Sequence, residues 1–201
     1  MWIHKTFSDN IILGCPIYFP HLGESEWWMT ISQIAQYQLT MVLGGFFIRG
    51  ALSFGPLYID DEMIFGLSLI EAVDLEKKAK YPRIVISSTA MDIVKEQMNF
   101  YANHRESPHN AELLVGDDDQ CFIDYLSVGE DERTRANDAL ILERHKAVIV
   151  RNLNQYKNDD TVKDKYLWAA AYHNYYCKRI KQSEYGIKVV NSTYKFRRLI
   201  E

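Results

Sequence analysis

Apolar residues recur at helical spacing in five stretches of the chain. The longest uncharged run covers residues 27–48. Ser25, just before it, is placed to cap a helix, and Gly44–Gly45 is placed to end it. Pro82 closes a second periodic stretch, because proline cannot continue a helix. The spacing predicts helices over residues 26–43, 67–80, 91–104, 132–153 and 162–181.

Between these helices the pattern changes to short apolar runs bounded by turn residues. Lys5–Ile12 reads as a strand with Asp9 near its middle, and residues 46–55 and 84–86 predict two more strands. Two pairs of short runs flank acidic turns and predict β-hairpins, at residues 57–59 with 63–65 and at 113–115 with 121–126. The order of elements favours an α+β sheet with helices packed on one face.

Composition narrows the class of protein. A chain of 201 residues with 47% hydrophobic and 25% charged residues has the size and balance of one globular domain. The net charge of −4 and the scattered lysines and arginines argue against a nucleic-acid partner. Polar residues interrupt the run 27–48, and the first residues do not form a signal peptide, so no membrane association is expected. Cys15, Cys121 and Cys177 lie far apart, which favours a reducing, cytoplasmic location.

Short motifs in a particular order carry the most specific information in the sequence. They are KTFSD at residues 5–9, IRGALSFG at 48–55, IFG at 64–66, LIEAVDLE at 69–76, YPRI at 81–84, KYLW at 165–168 and YHN at 172–174. Together they resemble class III nucleotidyl cyclases, in particular the Pycsar pyrimidine cyclases of bacterial antiphage defence. The resemblance covers nearly the whole chain. It implies an incomplete cyclase catalytic domain at residues 1–126, with a ferredoxin-like sheet lacking its first strand, and a helical extension at 127–201 packed on the same domain.

The resemblance implies a definite reaction and a metal requirement. In the family, the ribose 3′-oxygen of a nucleoside triphosphate attacks the α-phosphate and diphosphate leaves. Two divalent cations, Mn²⁺ or Mg²⁺, neutralise the charge that develops on the phosphates, and hard cations of this kind need oxygen ligands. The family supplies two aspartates, of which Asp9 matches the second.

The first metal aspartate of the family has no match in this sequence. Only eight residues precede Asp9, which is fewer than the family's first strand and following helices need. The chain therefore resembles either an N-terminally shortened cyclase or a cyclase whose true start lies upstream of Met1, and we expect it to be weakly active or inactive as it stands. The alternative is a catalytically silent cyclase-like module that dimerises or binds a nucleotide.

Candidate residues for base and phosphate binding follow from the same resemblance. Lys5 matches the lysine that reads the base in purine-specific relatives, but Met63 replaces its aspartate partner, so adenine specificity is not expected. Arg49 and Arg83 are the cations in register with family motifs, and a guanidinium matches two phosphate oxygens at once. Each has a structural alternative: Arg49 could pair with a carboxylate such as Glu71, and Arg83 could be a packing and salt-bridge residue.

The expected partners complete the functional hypothesis. UTP is favoured over CTP as the substrate, and the product would be a cyclic mononucleotide such as cyclic UMP. In the family this product is a second messenger that activates a separate toxic effector protein during phage infection. Family members act as homodimers, with each active site formed between two chains.

Three other clusters in the sequence favour structural roles. Asp117–Asp119 lacks the alternating ligand spacing of a calcium loop and suits a hairpin turn. His104 and His109 have no third ligand nearby, so zinc is not expected. His173 lies in an aromatic stripe at helical spacing and is expected to be a packing histidine with satisfied hydrogen bonds.

Overall fold

The computed structural model describes residues 3–7, 10–18, 24–129, 135–188 and 193–200 and shows a mixed α+β protein. Within these ranges, none of the helices combines the length and the hydropathy that crossing a bilayer requires. The strands are β1 (Ile3–Phe7), β2 (Asn10–Gly14), β3 (Gly50–Leu52), β4 (Tyr58–Ile59), β5 (Ile64–Phe65), β6 (Ile84–Ile86), β7 (Leu113–Gly116), β8 (Cys121–Ile123) and β9 (Phe196–Arg198). The helices are α1 (Glu24–Leu43), α2 (Leu67–Lys78), α3 (Ser88–Met98), α4 (Pro108–Glu112), α5 (Arg135–Gln155) and α6 (Asp160–Arg179).

Five strands form the main sheet in the order β3-β6-β8-β7-β9. β3 and β6 are parallel and are joined through α2, while the other neighbours are antiparallel. All three residues of β6 are buried, which explains why this strand reads as an unbroken apolar run. The remaining four strands form two separate hairpins, β1-β2 and β4-β5.

Helices cover both faces of the main sheet. Phe122 of β8 contacts Trp168 and Tyr172 of α6, with ring centroids 5.5 and 6.1 Å apart. Its neighbour Cys121 faces the opposite side, because side chains alternate along a strand, and lies beside Met91 of α3 in a shared pocket. The sequence prediction of helices on one face is therefore wrong, since a single amphipathic pattern does not say on which side of the sheet its helix packs.

The hydrophobic core draws on both halves of the chain. Trp27 and Ile31 of α1 join one buried cluster with the strands β6, β7 and β8 and with Ile149, Trp168 and related residues of α5 and α6. The strand β9 adds residues 196–198 to the same sheet through its pairing with β7. The segments 1–126 and 127–201 thus share one core and one sheet.

Several local predictions need correction. Lys5–Ile12 is not one strand, because β1 and β2 pair antiparallel across residues 8–9. Helix α1 begins at Glu24, so Ser25 lies inside the helix and does not cap it. Helix α3 begins earlier than expected, because the Ser87 side chain accepts a hydrogen bond from the Ala90 backbone N–H at 3.2 Å.

Two further elements were absent from the sequence prediction. Residues 107–110 were expected to be a loop, but Pro108 starts the short helix α4, as proline favours the first helical position. The basic segment near Arg197 was expected to be a tail, but it forms β9 at the edge of the sheet. Both hairpins and the strand 84–86 are confirmed.

Candidate functional site

Lys5 lies where the two small hairpins meet. It is half-buried on β1 opposite Ile12, and Gly14 at the end of β2 comes close to β4, because a Cβ there would lie 3.3 Å from the Leu57 side chain. The positive charge of Lys5 acts on Asp60 in the turn between β4 and β5. The structure therefore brings Asp60, which no sequence motif singles out, within electrostatic range of one predicted site residue.

Asp60 is held by its own turn. The Tyr58 hydroxyl donates to one carboxylate oxygen at 2.5 Å, and the backbone N–H groups of Glu62 and Met63 donate to the other, each at 2.8 Å. These hydrogen bonds, with a smaller contribution from the charge of Lys5, lower the pKa of Asp60. Asp60 is thus an ionised, oriented acceptor at the surface, within electrostatic range of Lys5.

Asp9, the expected metal ligand, lies outside the described residues. Elsewhere in the described part of the chain, no group of three or more His, Cys, Asp or Glu side chains is arranged to hold a metal ion. The donors that the structure describes therefore do not fit the two-cation site that the resemblance implies.

Arg49 forms a surface ion pair. Its Nε donates to Glu76 Oε1 at 2.5 Å, its Nη1 donates to the Ala79 carbonyl at 3.3 Å, and 45% of its side chain is exposed. The expected alternative partner, Glu71, instead accepts hydrogen bonds from the hydroxyls of Ser88 and Thr89. Arg49 lies immediately before β3, which places it beside Arg83 at the same end of the parallel pair: the Gly50 N–H donates to the Arg83 carbonyl at 3.2 Å.

The guanidinium of Arg83 is buried and paired. Its carbon lies 5.3 Å from the ring centroid of Phe122 and 5.8 Å from that of Trp168, and only 2% of the side chain is exposed. Both terminal nitrogens donate to the Asp118 carboxylate. Gly116 leaves room for this pair, because a Cβ there would lie 2.8 Å from Arg83 Nη1. This is the packing and salt-bridge role that the sequence analysis gave as the alternative for Arg83.

The Arg83–Asp118 pair also explains the role of the acidic turn Asp117–Asp119. Burial raises the pKa of Asp118, but the hydrogen bond and the charge of Arg83 outweigh it and lower the pKa overall. Asp119 adopts a positive φ of 56°, which is tolerable for aspartate in a turn. These residues form the hairpin turn that the sequence predicted, and one of them caps a buried cation.

A chain of buried titratable groups runs between the sheet and the C-terminal helices. The Tyr125 hydroxyl lies 2.9 Å from His145 Nε2, His145 Nδ1 lies 2.9 Å from His173 Nδ1, and His173 Nε2 lies 3.1 Å from the Tyr185 carbonyl. Both histidines are fully buried. Burial lowers the pKa of His173 to about 4 and that of His145 well below its usual value, so both rings are neutral at pH 7.

The Tyr185 carbonyl, at one end of this series of hydrogen bonds, indicates which ring nitrogens carry protons. A carbonyl can only accept, so we assign the proton of His173 to Nε2, which also lies 3.4 Å from Cys177 Sγ, and leave its Nδ1 bare. His145 must then donate through Nδ1 and accept at Nε2 from the Tyr125 hydroxyl. His173 is thus a packing histidine with satisfied hydrogen bonds, as predicted, and no pattern in the sequence pointed to its partner His145.

Comparisons with family models, curated proteins and solved structures add nothing to these observations. No family model matches the chain, and no match is found among curated proteins or solved structures.

Proposed function

We propose that this chain is a nucleotidyl cyclase-like domain whose reaction is the conversion of UTP, in preference to CTP, to the 3′,5′-cyclic mononucleotide and diphosphate, and that the chain by itself is weakly active or inactive. The supporting observation is the position of the resembling motifs on successive elements. KTFSD begins on β1, IRGALSFG leads through β3, IFG enters α2 and YPRI enters β6, and β3 and β6 are parallel. IRGALSFG and YPRI therefore lie on neighbouring strands of the main sheet, whereas KTFSD begins on the separate β1-β2 hairpin.

The neighbouring charges of Lys5 and Asp60 support a preference for uracil. Uracil presents an N–H between two carbonyl oxygens, so a carboxylate can accept from the N–H while an ammonium donates to a carbonyl. Cytosine presents a bare ring nitrogen at the same place, which a carboxylate would repel. An ionised Asp60 beside Lys5 has the polarity that suits the uracil edge.

Of the two arginines, Arg49 is the better candidate for a phosphate contact. Its pairing with Glu76 is exposed, and exposed pairs contribute only about 0.2–1 kcal/mol, so a phosphate can replace the carboxylate. Separating Arg83 from Asp118 would leave a buried guanidinium without a counter-charge, which costs about 3–5 kcal/mol. We therefore propose phosphate binding for Arg49 and a structural role for Arg83.

The metal requirement supports a second candidate function. Mn²⁺ or Mg²⁺ would supply charge neutralisation in the family's reaction, but the described donors do not form such a site, so no step is assigned to a cation here. Because Arg83 is also occupied, the chain has features of a catalytically silent module that dimerises or binds a nucleotide.

An exposed apolar surface supports the proposal of a homodimer. Tyr58 and Phe65 stack with ring centroids 4.9 Å apart on the outside of the β4-β5 hairpin, and the adjoining helix α2 exposes Leu67 and Ile70 at 72% and 59%. Apolar patches of this kind mark interaction sites. We call these residues the hairpin–α2 surface: Ile11, Leu13, Tyr58, Phe65, Leu67 and Ile70.

The wider biological role is proposed from the resemblance alone. The cyclic mononucleotide would act in the cytoplasm as a second messenger for a separate effector protein. That effector would be recognised by its response to a cyclic pyrimidine nucleotide.

Activity and binding are tested together. The protein is incubated with each of the four nucleoside triphosphates and Mn²⁺, products are identified by mass spectrometry, and triphosphate binding is measured by calorimetry. We expect UTP to bind most tightly. The variants Lys5→Gln and Arg49→Gln should each weaken UTP binding about three- to tenfold, whereas Lys77→Gln, an exposed lysine on α2, should leave it unchanged.

The results separate the two candidate functions. Cyclic UMP production supports the cyclase, and UTP binding without turnover supports the silent module. If no triphosphate binds, or if Lys77→Gln weakens binding as much as Lys5→Gln does, the proposed nucleotide site is wrong.

A further inference from the structure

A cavity of about 370 Å³ lies on the sheet face opposite α6, between α3, the β7-β8 hairpin and residues 197–200. Its volume falls within the range of small-molecule sites. It is separate from the two small hairpins and from the residues proposed to bind a nucleotide. The floor is apolar and consists of Met91, Met98, Val115, Cys121, Leu199 and Ile200.

One wall of this cavity is fixed by hydrogen bonds. The Ile200 N–H donates to Asn110 Oδ1 at 3.0 Å, and Asn110 Nδ2 donates back to the Ile200 carbonyl at 3.3 Å. Arg198 Nη1 also donates to the Asn110 carbonyl at 2.8 Å. Because Asn110 is itself buried, the segment that closes the cavity is held in place without a ligand, as in sites that are formed before binding.

The rim carries two cations, each in a weak pair with an exposed carboxylate, and one of these carboxylates, Asp119, also lines the cavity. Lys95 lies 3.8 Å from Asp92, and both side chains are well exposed. Arg197 pairs at 3.2 Å with Asp119, whose side chain is 87% exposed. Such pairs contribute little in water, so a ligand anion can compete for both cations.

The chemistry of the floor restricts the rest of the ligand. Among the residues that the structure describes, no phenylalanine, tyrosine or tryptophan lines the cavity, so a base or aromatic ring would find no stacking partner there. Met91 and Met98 are flexible and fill space around irregular aliphatic shapes. Burial raises the pKa of Cys121 to about 12, so its thiol is neutral and does not repel an anion.

We propose that this cavity binds a small amphipathic anion, with an unbranched aliphatic body on the Met91–Met98 floor and a carboxylate or phosphate head group at Lys95 and Arg197. The site does not depend on the proposed nucleotide chemistry. Charge complementarity at the rim and an apolar floor are the two observations that carry it.

The six methionines of the chain provide a direct test. The protein is labelled with ¹³C at the methionine methyl groups and titrated with decanoate, decyl phosphate or uncharged decanol below their aggregation limits. We expect the Met91 and Met98 signals to shift and the Met41 and Met63 signals to stay in place. The anions should bind roughly tenfold more tightly than decanol, and a preference for one anion identifies the head group.

Charge variants test the rim separately from the floor. Lys95→Gln combined with Arg197→Gln should reduce the affinity for the preferred anion to that for decanol and leave decanol binding unchanged. Lys77→Gln on α2 is the matched control and should have no effect. The proposal is overturned if Met91 and Met98 do not shift, if all methionine signals shift together, or if decanol binds the unmodified protein as tightly as the anions.

Discussion

The side of the molecule built by α5 and α6 differs sharply from the side that carries the hairpin–α2 surface. Beneath α5 and α6, several buried polar and charged groups pair with one another: Asp124 is fully buried, accepts from the Tyr172 hydroxyl and pairs with Arg179, each at 2.5 Å. On the other side, apolar side chains such as Leu67 and Ile70 face outward. The first side satisfies its polar groups internally, whereas the second leaves apolar area for another surface to cover.

The contrast teaches where changes should affect folding and where they should affect association. Removing a partner from the buried network leaves another group desolvated and unpaired, which costs stability directly. Changing an exposed apolar residue removes no internal contact of comparable weight, so it should act on association between chains. Measurements of stability and of oligomeric state can therefore test whether the two sides of the molecule differ in this way.

The largest effect is expected from Asp124→Asn. Neutralising this carboxylate removes the charge that pairs with Arg179, which is 18% exposed, and that also lies 4.0 Å from Arg198. We expect a loss of about 3–5 kcal/mol in the free energy of unfolding, measured by urea denaturation. Asp92→Asn on the exposed face of α3 is the control and should change stability by less than about 0.5 kcal/mol. Similar losses in both variants would contradict the proposed importance of the buried network.

The next effect concerns Glu112, a buried carboxylate without a cation. Its Oε1 accepts from the Ser32 hydroxyl at 2.9 Å, and its buried Oε2 has no hydrogen-bond partner in the described part of the chain. Burial raises the pKa of Glu112 from 4.5 to about 7, with only partial opposition from hydrogen bonds to Ser32 and Trp28. Between these two values the folded protein binds more protons than the unfolded chain, so the contribution of Glu112 to stability falls as the pH rises.

His173 has the opposite dependence on pH in nearly the same range. Its pKa falls from 6.5 to about 4 on folding, so the unfolded chain binds more protons between these values and stability rises with pH. Burial also lowers the pKa of His145, so we expect the contribution of Glu112 to offset only part of the rise in stability that the two histidines produce in the unmodified protein. In Glu112→Gln the free energy of unfolding should therefore rise more steeply with pH. At pH 8 it should exceed that of the unmodified protein by up to about 3 kcal/mol.

Urea denaturation from pH 4 to pH 8 measures this prediction, with Glu143→Gln at an exposed position of α5 as the control. A difference between Glu112→Gln and the unmodified protein that stays constant with pH would show that Glu112 ionises normally. The control should follow the unmodified protein throughout.

Some elements of the fold could be predicted from the sequence alone, and others could not. The strand 84–86 and both hairpins were predictable, because a short apolar run between turn residues has few alternatives. Strand β9 was not, because its alternating basic residues resemble a solvated tail until β7 provides hydrogen-bond partners. The side of the sheet on which α3 packs was also unpredictable, since it depends on the connections between elements and not on the helix's own pattern.

The candidate site was likewise only partly predictable from the sequence. Sequence could nominate Lys5, but the approach of Asp60 depends on two hairpins meeting, which no local pattern reveals. It could also nominate Arg83, but the pairing with Asp118 depends on the register of β6 against β8. The partner of His173 was missed for the same reason, because His145 lies 28 residues away on another helix.

A smaller effect is expected from Tyr125→Phe. The change removes the hydroxyl that donates to His145 Nε2 and leaves a buried acceptor unpaired. We expect a loss of about 1–3 kcal/mol in the free energy of unfolding, whereas Tyr37→Phe at an exposed position of α1 should change it little. Nitrogen chemical shifts of the two imidazoles provide a second measurement, since they distinguish a protonated from a bare ring nitrogen. Finding His145 protonated at Nε2 in the unmodified protein would contradict the proton order derived for the chain.

The smallest effect on folding is expected from Ile70→Glu on the hairpin–α2 surface. Ile70 is 59% exposed, so a charge there should change the free energy of unfolding of the single chain by less than about 0.5 kcal/mol. The same charge would have to be desolvated if this surface packs against a second copy, so sedimentation equilibrium should show weaker self-association. Leu140→Glu on α5 is closely matched at 56% exposure and lies away from the surface, so it should leave association unchanged. Equal association of both variants and the unmodified protein would remove the hairpin–α2 surface as the dimer interface, and the comparison between the two sides of the molecule would then concern folding alone.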